Sequence, residues 1–326
     1  MFSMRDCIDE IGHLQPSFVD LEKVRKERGI EPMEIFLSTI PDFFDENDCG
    51  LLDNICKLQK LIINSSKKED FESAFEYIQV IRYLLKSFNN ETARIAGNSL
   101  CLPSFSFFYF KKKHFKRSIN CITTLCKQND GLYYTFPIFH LHKIHHIMNL
   151  VDVYIAKKQY EMAGKIMKDI ILYHGTGAIP GQWGEGSFEH LNTLRAMISP
   201  DHLTNTLFSP LFVSSWRHKQ MREILFNDED FIVRINAALP VESHFYTGLV
   251  SFFMAMKSFI TAKVTYDISV FFSHFKGFEF DGFKLLLLKE IYVVTQDECV
   301  KKDIEMIIKD KLRFKSTDEI LQQLCL

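Results

Sequence analysis

The sequence is poor in glycine, and the glycines it has are unevenly spread. Only 14 of its 326 residues are glycine and 9 are proline, and both types are sparse between residues 51 and 170. Because both residues interrupt regular elements, their scarcity there predicts long helices packed as a bundle. Five glycines fall instead within residues 171–186, ILYHGTGAIPGQWGEG, which marks a turn-rich segment.

Other absences exclude whole classes of protein. The longest apolar region, residues 247–264, contains Lys257 and Lys263, so it is too short and too polar for a transmembrane segment. The first residues carry acids where a signal peptide needs an apolar stretch. A net charge of −2 argues against a general nucleic-acid binder. The eight cysteines form no CxxC pair, which is typical of reduced thiols in a cytoplasmic protein.

What the sequence does contain is a strong helical pattern in its first half. Apolar residues recur at helical spacing in residues 48–63 and again in residues 69–88. Ser65 and Ser66 lie between the two segments and are candidates to cap the second helix.

A helical hairpin is predicted over residues 144–171, with its turn near residues 157–159. Hairpins of this kind also occur in tetratricopeptide arrays, but no 34-residue period runs along the chain, so that interpretation is rejected. Residues 1–165 are therefore predicted to form a helical domain.

After residue 165 the pattern changes to short runs of β-forming residues separated by short helices. The predicted strands are residues 210–216, 262–272 and 283–294, and the predicted helices are residues 187–197, 218–226 and 247–260. Short strands mixed with short helices predict an α+β domain over residues 166–326.

The glycine-rich stretch carries the first candidate site. Residues 170–176 are predicted to be a buried strand that ends in the polar corner Tyr173, His174, Gly175 and Thr176. The Gly175 backbone would admit a flat ligand, and His174 and Thr176 would add hydrogen bonds. A tight turn with a capped histidine explains the same residues equally well.

Two later segments carry further candidates. Ser214 and Ser215 at a strand end would orient a ligand, and Trp216 would offer a stacking face. A serine N-cap that opens the next helix is the simpler alternative for this pair. Glu290 lies in the middle of an apolar strand, where an unpaired carboxylate is costly unless it lines a site or faces solvent.

Taken in order, the YHGT strand, a helix, the Ser214–Ser215 strand and the glutamate strand resemble the histidine-type ADP-ribosyltransferases, the branch of diphtheria toxin and the poly(ADP-ribose) polymerases. The resemblance covers residues 166–314. It implies that residues 166–326 form a mixed α/β transferase domain. This domain follows the N-terminal helical bundle predicted from the apolar pattern of residues 1–165, so the whole chain is expected to be α+β.

The resemblance also implies an NAD site and a reaction. Glu290 and His174 would be catalytic, with Glu290 stabilising the oxocarbenium-like transition state formed when the nicotinamide–ribose bond breaks. No metal is implied. The residues implied to contact NAD, which is the substrate, are Tyr173, His174, Gly175, Thr176, Ser214, Ser215 and Trp216.

Partners follow from the same resemblance. Such domains occur in secreted bacterial effectors and toxins, which implies a host protein as acceptor, selected by residues 1–165, and delivery into a host cell without a cleaved signal peptide. No nucleic acid and no transmembrane segment is expected. A tRNA 2′-phosphotransferase shares the histidine-containing fold but needs more basic residues. The alternative is a non-enzymatic helical adaptor that carries an inactive transferase-like fold.

Two further clusters admit more than one interpretation. His142 and His146 belong to a cluster within residues 140–146 and are four apart, as zinc ligands on a helix are, but neither an HExxH motif nor a nearby acid accompanies them. A structural or surface role is favoured. Residues 107–117, FFYFKKKHFKR, would contact an acidic protein, a phosphoinositide head group or RNA, or would be the solvated end of a helix.

Overall fold

The computed structural model describes residues 32–177, 183, 184, 186, 188–197, 218–237, 253, 288–293 and 295–310. The chain divides into two compact units. One unit is residues 29–198, and the other combines residues 1–28 with residues 199–326. Residue 165, where the sequence predicts the domain boundary, lies within a helix of the first unit.

Every regular element among the described residues is helical. The helices of the 29–198 unit are α1 (Pro32–Thr39), α2 (Glu46–Lys67), α3 (Phe71–Leu84), α4 (Glu91–Lys111), α5 (Phe115–Tyr133), α6 (Ile138–Ala156), α7 (Tyr160–Thr176) and α8 (Phe188–Met197), with a 3₁₀ turn at Ile40–Asp42. The helices described in the other unit are α9 (Lys219–Phe226), α10 (Glu229–Ala237) and α11 (Glu298–Asp310), together with helical residues 288–293.

The predicted mixed α/β transferase domain is therefore wrong for the residues that the structure describes. Residues 170–176, predicted as a strand, are the end of α7, and residues 288–293 of the predicted glutamate strand are helical. The physical reason is that a short apolar run buries equally well as a strand or as one face of a helix. The predicted strands at residues 210–216 and 262–272 lie outside the described residues.

The predicted helices were placed better than the strands. The helices expected over residues 187–197 and 218–226 are confirmed by α8 and α9. The expected caps Ser65 and Ser66 are wrong, because both lie inside α2. The Asp70 carboxylate caps α3 instead and accepts a hydrogen bond from the Ser73 N–H at 3.1 Å.

Three helical hairpins, α2–α3, α4–α5 and α6–α7, form the centre of the 29–198 unit. Their turns share one backbone geometry. The central residue of each turn is left-handed: Glu69 has φ 63°, Lys113 has φ 59° and Lys158 has φ 59°. In each turn the next residue donates its N–H to the carbonyl five residues earlier, at 2.8–3.0 Å. This pairing closes the end of the first helix and redirects the chain into the second.

The hairpins also repeat in sequence, at intervals of 44 and 45 residues between the left-handed positions. The segments 68–74, 112–118 and 157–163 read KEDFESA, KKHFKRS and KKQYEMA, a lysine followed by an aromatic and then a small residue. The small residues, Ala74, Ser118 and Ala163, are all fully buried. A small side chain here lets the two helices of a hairpin approach closely, so the pattern encodes the hairpin itself.

Successive hairpins pack in two different ways. α2 packs directly on α4, and an added Cβ on Gly97 of α4 would lie only 3.1 Å from Ile55 Cδ1 of α2. The third hairpin docks instead through α6 onto α5. α4 and α6 therefore lie on either side of α5, which leaves a groove between them.

Candidate functional site

The residues of the YHGT motif lie in the last two turns of α7. Tyr173 is fully buried, and the Thr176 hydroxyl donates a hydrogen bond to the Leu172 carbonyl at 2.9 Å. His174 and Gly175 are helical, and the His174 side chain is outside the described part of the structure. The motif ends the helix, because the N–H of Gly177, at φ 72°, bonds the Tyr173 carbonyl at 2.6 Å.

Tyr173 joins a group of ionisable and aromatic residues between helices, which we term the polar cluster: Asp130, His140, Lys143, Tyr173 and His190. His140 Nε2 lies 2.7 Å from the Tyr173 hydroxyl oxygen. His140 is 1% exposed. Burial, helped by the neighbouring charges of Lys143 and His190, lowers the pKa of His140 to about 2. The imidazole is therefore neutral at physiological pH.

The ionic part of the polar cluster pairs Lys143 of α6 with Asp130 of α5. The Lys143 side chain has no exposed surface, and Asp130 keeps 17% of its side-chain surface exposed. Gly184, at φ 87°, lies against the same carboxylate, since a Cβ added there would be 1.8 Å from Asp130 Oδ2. The glycine at position 184 thus allows the chain after α7 to contact this ion pair.

His190 completes the polar cluster from α8. Its ring stacks on Tyr133 at a centroid distance of 4.0 Å and lies 4.8 Å from the His140 ring. The Tyr133 hydroxyl and Thr193 Oγ1 are 3.3 Å apart. His140 and Lys143 are almost inaccessible to a dissolved substrate, whereas Asp130 and His190 are partly exposed. The cluster joins α5, α6, α7 and α8 as a satisfied buried network.

The predicted catalytic residue Glu290 lies in the other unit. Its Oε1 is 2.9 Å from Arg222 Nε of α9, and each side chain is 13% exposed. Among the described residues Oε1 accepts no hydrogen bond, so its contact with Arg222 is ionic. Burial raises the pKa of Glu290, while Arg222 and Lys289 oppose that rise. The pair links α9 to residues 288–293.

The remaining predicted NAD-contact residues, Ser214, Ser215 and Trp216, lie outside the described residues. The structure therefore places Tyr173 among residues that the sequence analysis did not link to it. Glu290 belongs to a separate unit.

The histidine pair within residues 140–146 lies on α6. The rings of His142 and His146 are 4.4 Å apart, and His142 Nδ1 is 3.2 Å from the Asn129 side-chain amide. Burial lowers the pKa of His142 to about 3. Among the described residues, no group of three or more histidine, cysteine or acidic side chains is placed to hold a metal ion.

A groove lies between α4 and α6, with α5 as its floor. Its volume is about 210 Å³. The lining residues are Pro103, Ser106, Phe107, Phe110, Ser118, Ile122, Asn149, Asp152 and Val153. Proline, phenylalanine, isoleucine and valine supply apolar walls, and Asn149 and Asp152 are exposed polar residues on the α6 side.

Local sequence explains why this groove exists. Ser106 of α4 and Ser118 of α5 are buried, and their hydroxyls are 2.8 Å apart. These small residues bring α4 close to α5 and leave the larger rings of Phe107 and Phe110 at the edge. Sequence reasoning missed the groove, because the repeated lysine–aromatic–small pattern at residues 112–118 signals the α4–α5 turn and not the space beside it.

Comparisons with known proteins add no relative: no protein-family model, no curated protein and no solved structure matches the chain. Within the described residues, no helix combines the length and the apolar character needed to cross a membrane.

Proposed function

We propose that the 29–198 unit is a helical-repeat interaction module that binds a segment of a partner protein in the α4–α6 groove. This corresponds to the helical interaction protein that the sequence admits as its alternative, without a transferase-like fold. The observation that carries the proposal is the separation of α4 from α6 above α5, which leaves a largely apolar groove between them.

The repeated hairpins support this function. Helical repeats of 20–45 residues stack into surfaces that bind other proteins, and each repeat contacts its neighbours. The three hairpins recur every 44 or 45 residues with the same left-handed turn. Buried polar contacts such as Ser106–Ser118 fix the walls before a ligand arrives, which limits the entropy lost on binding.

The size of the groove indicates the ligand class. Sites for small molecules and cofactors usually enclose about 300–1,000 Å³, and this groove encloses about 210 Å³. It is better matched to the apolar side chains of a helix or an extended peptide. Asn149 and Asp152 lie where they would meet polar groups of that peptide.

NAD-dependent transfer of ADP-ribose to a protein remains a prediction from the sequence resemblance, with Glu290 and His174 as its candidate catalytic residues. The strands on which that resemblance relied are helical at residues 170–176 and 288–293. Tyr173 and Glu290 both have partners within their own helical units. These observations favour the interaction module over the transferase.

A peptide-display selection against the full-length protein tests the proposal. Selected peptides should share apolar anchor positions at helical or extended spacing. Asn149→Arg introduces a long charged side chain beside the groove at an exposed position, so it should abolish the selection. Asn120→Arg, the same substitution at an exposed position of α5 outside the groove, is the matched control. Peptides that bind the two variants equally would refute the assignment of the groove.

A further inference from the structure

The turns of the second and third hairpins carry a concentration of positive charge, which we term the basic turn surface. It consists of Lys111, Lys112, Lys113, Lys116, Arg117, Lys157 and Lys158. All are exposed except Lys111, which is partly exposed. No acidic residue lies within residues 105–129, whereas the exposed Asp152 and Glu161 flank the third turn. A chain with a net charge of −2 therefore gathers seven cations at two adjacent turns.

The fold brings these two turns to the same end of the unit. Phe110, in the last turn of α4, and Val153, in the last turn of α6, line the same groove. The α4–α5 and α6–α7 turns follow directly after these residues. The cations of both turns therefore lie at one end of the unit, together with the exposed acids Glu69, Asp70 and Glu72 of the first turn, which they outnumber.

Four of the aromatic rings at this end have a cation over one face. Lys112 Nζ lies 5.5 Å from the centroid of Phe108 and 5.7 Å from that of Phe71. Arg117 lies 5.6 Å from the Tyr109 ring, and Lys157 Nζ lies 5.5 Å from the Tyr154 ring. Proteins that bind single-stranded nucleic acid need aromatic faces on which bases stack. Here each of these rings has a cation over one face.

The predominance of lysine over arginine also favours lipid head groups over nucleic acid. Six of the seven cations are lysine, whose ammonium group is a compact, strongly hydrated charge on a flexible stem, whereas planar bidentate recognition of a phosphate or a base favours arginine. Clusters of four to eight lysine or arginine residues on a surface attract anionic lipid head groups by diffuse electrostatics. The basic turn surface has this size and this composition.

We propose that the basic turn surface binds the anionic head groups of a phospholipid membrane. The attachment is peripheral, because the residues of the basic turn surface supply charge at the level of the head groups. It holds the 29–198 unit with its hairpin turns towards the lipid. The attraction falls with salt, since the Debye length shortens from about 10 Å at 0.1 M to about 3 Å at 1 M ionic strength.

The repeat itself supplies the test variant. Glu69 occupies the left-handed position of the first turn at φ 63°, where the second and third turns have Lys113 and Lys158 at φ 59°. Glutamate is therefore compatible with this backbone conformation. Lys113→Glu combined with Lys158→Glu reverses two charges while keeping the turn. Lys86→Glu combined with Lys127→Glu makes the same change in net charge at exposed positions away from these turns.

The measurement is co-sedimentation of the full-length protein with vesicles of phosphatidylcholine alone or with 30% (roughly physiological) phosphatidylserine. Wild type should sediment with the anionic vesicles at 0.1 M salt and be released near 1 M. The Lys113/Lys158 variant should bind at least about tenfold more weakly, and the Lys86/Lys127 control should bind as wild type does. Circular dichroism confirms that both variants are folded.

Several results would overturn the proposal. Wild type that does not sediment with anionic vesicles, or two variants that bind equally, would show that the basic turn surface does not recognise lipid. Binding to a single-stranded RNA oligonucleotide without binding to vesicles would make nucleic acid the partner instead. Equal binding to neutral and anionic vesicles would exclude an electrostatic contact.

Discussion

His140 Nε2 and the Tyr173 hydroxyl lie 2.7 Å apart inside the 29–198 unit, and both residues are at most 1% exposed. Tyr173 is therefore a partner of a buried imidazole on a neighbouring helix. The hydrogen bond satisfies both polar groups. A buried polar group without a partner would destabilise the fold by about 1–3 kcal/mol. The role supported for Tyr173 is to hold α6 against α7.

The buried histidine predicts a pH-dependent stability. His140 has a pKa of about 2 in the folded protein, against about 6.5 in an unfolded chain. Below pH 6.5 the unfolded state binds a proton that the folded state does not, so stability is full above pH 6.5 and falls as the pH falls. The expected loss is about 1.4 kcal/mol per pH unit from this residue.

Urea unfolding at pH 7.5, 5.5 and 4.5 measures that loss. His140→Gln retains an amide to pair with Tyr173 and does not titrate. Its free energy of unfolding should therefore fall less steeply with pH, by the slope that corresponds to one bound proton, about 1.4 kcal/mol per pH unit. Asp130, Lys143, His190 and Tyr133 belong to or adjoin the polar cluster and remain unchanged in both proteins. An identical pH slope in wild type and His140→Gln would contradict the assignment.

The left-handed hairpin turns predict a stabilising substitution. Lys158 holds φ 59°, which costs an L-residue with a Cβ roughly 1 kcal/mol relative to glycine. Glycine relieves this cost but loses about 0.5–1 kcal/mol more entropy on folding, so Lys158→Gly should give a net stabilisation of up to about 0.5 kcal/mol. The measurement is the urea midpoint. The same change at exposed Lys127, inside α5, should destabilise by about 1 kcal/mol, and a destabilised Lys158→Gly would contradict the shared turn geometry.

Asp48 predicts a large loss from one carboxylate. It is fully buried at the start of α2 and accepts hydrogen bonds from the backbone N–H groups of Asn89 and Asn90 at 3.0 and 2.9 Å. Asp48→Ala removes the acceptor of two partly buried backbone N–H groups, so the free energy of unfolding should fall by about 1–3 kcal/mol. Asp53→Ala, at an exposed position of the same helix, should change it by less than about 0.5 kcal/mol. Equal effects of the two substitutions would contradict the hydrogen bonds.

Substitutions of Glu290 can distinguish a structural role of this residue from a catalytic one. Removing one member of a largely buried ion pair leaves the other charge uncompensated, whereas replacing both with apolar residues is often tolerated. Glu290→Met and Arg222→Met should each destabilise by about 1–3 kcal/mol, and the double variant should lie closer to wild type. Additive losses would show that the residues are not coupled. Glu290→Gln that lowers NAD turnover without lowering stability would restore the catalytic assignment.

The helices were predictable where the apolar period was long. The hairpin turn near residues 157–159 was predicted from the spacing of residues 144–171 and is confirmed between α6 and α7. Residues 170–176 were misassigned because seven apolar and small residues contain no period that separates a strand from a helix. The fold resolves the ambiguity because Ile170 and Tyr173 continue the buried face that Ile166 and Met167 begin.

The site was less predictable, since it depends on contacts between distant segments. His140 and Tyr173 are 33 residues apart in the sequence. Gly184 and Asp130, which also lie close together, are 54 residues apart. The glycine density of residues 171–186 did signal special backbone positions. Gly177 ends α7 in the left-handed conformation, and Gly184 allows the backbone to lie against the Asp130 carboxylate. These two glycines therefore shape the path of the chain.

Calorimetric titration of the full-length protein tests the central claim most directly. One display-selected peptide and NAD are titrated separately into wild type, Asn149→Arg and Asn120→Arg. The account predicts saturable peptide binding that Asn149→Arg weakens at least about tenfold and Asn120→Arg leaves unchanged. It predicts no saturable heat with NAD. Saturable NAD binding together with peptide affinity that is equal in all three proteins would contradict the α4–α6 groove as the functional site.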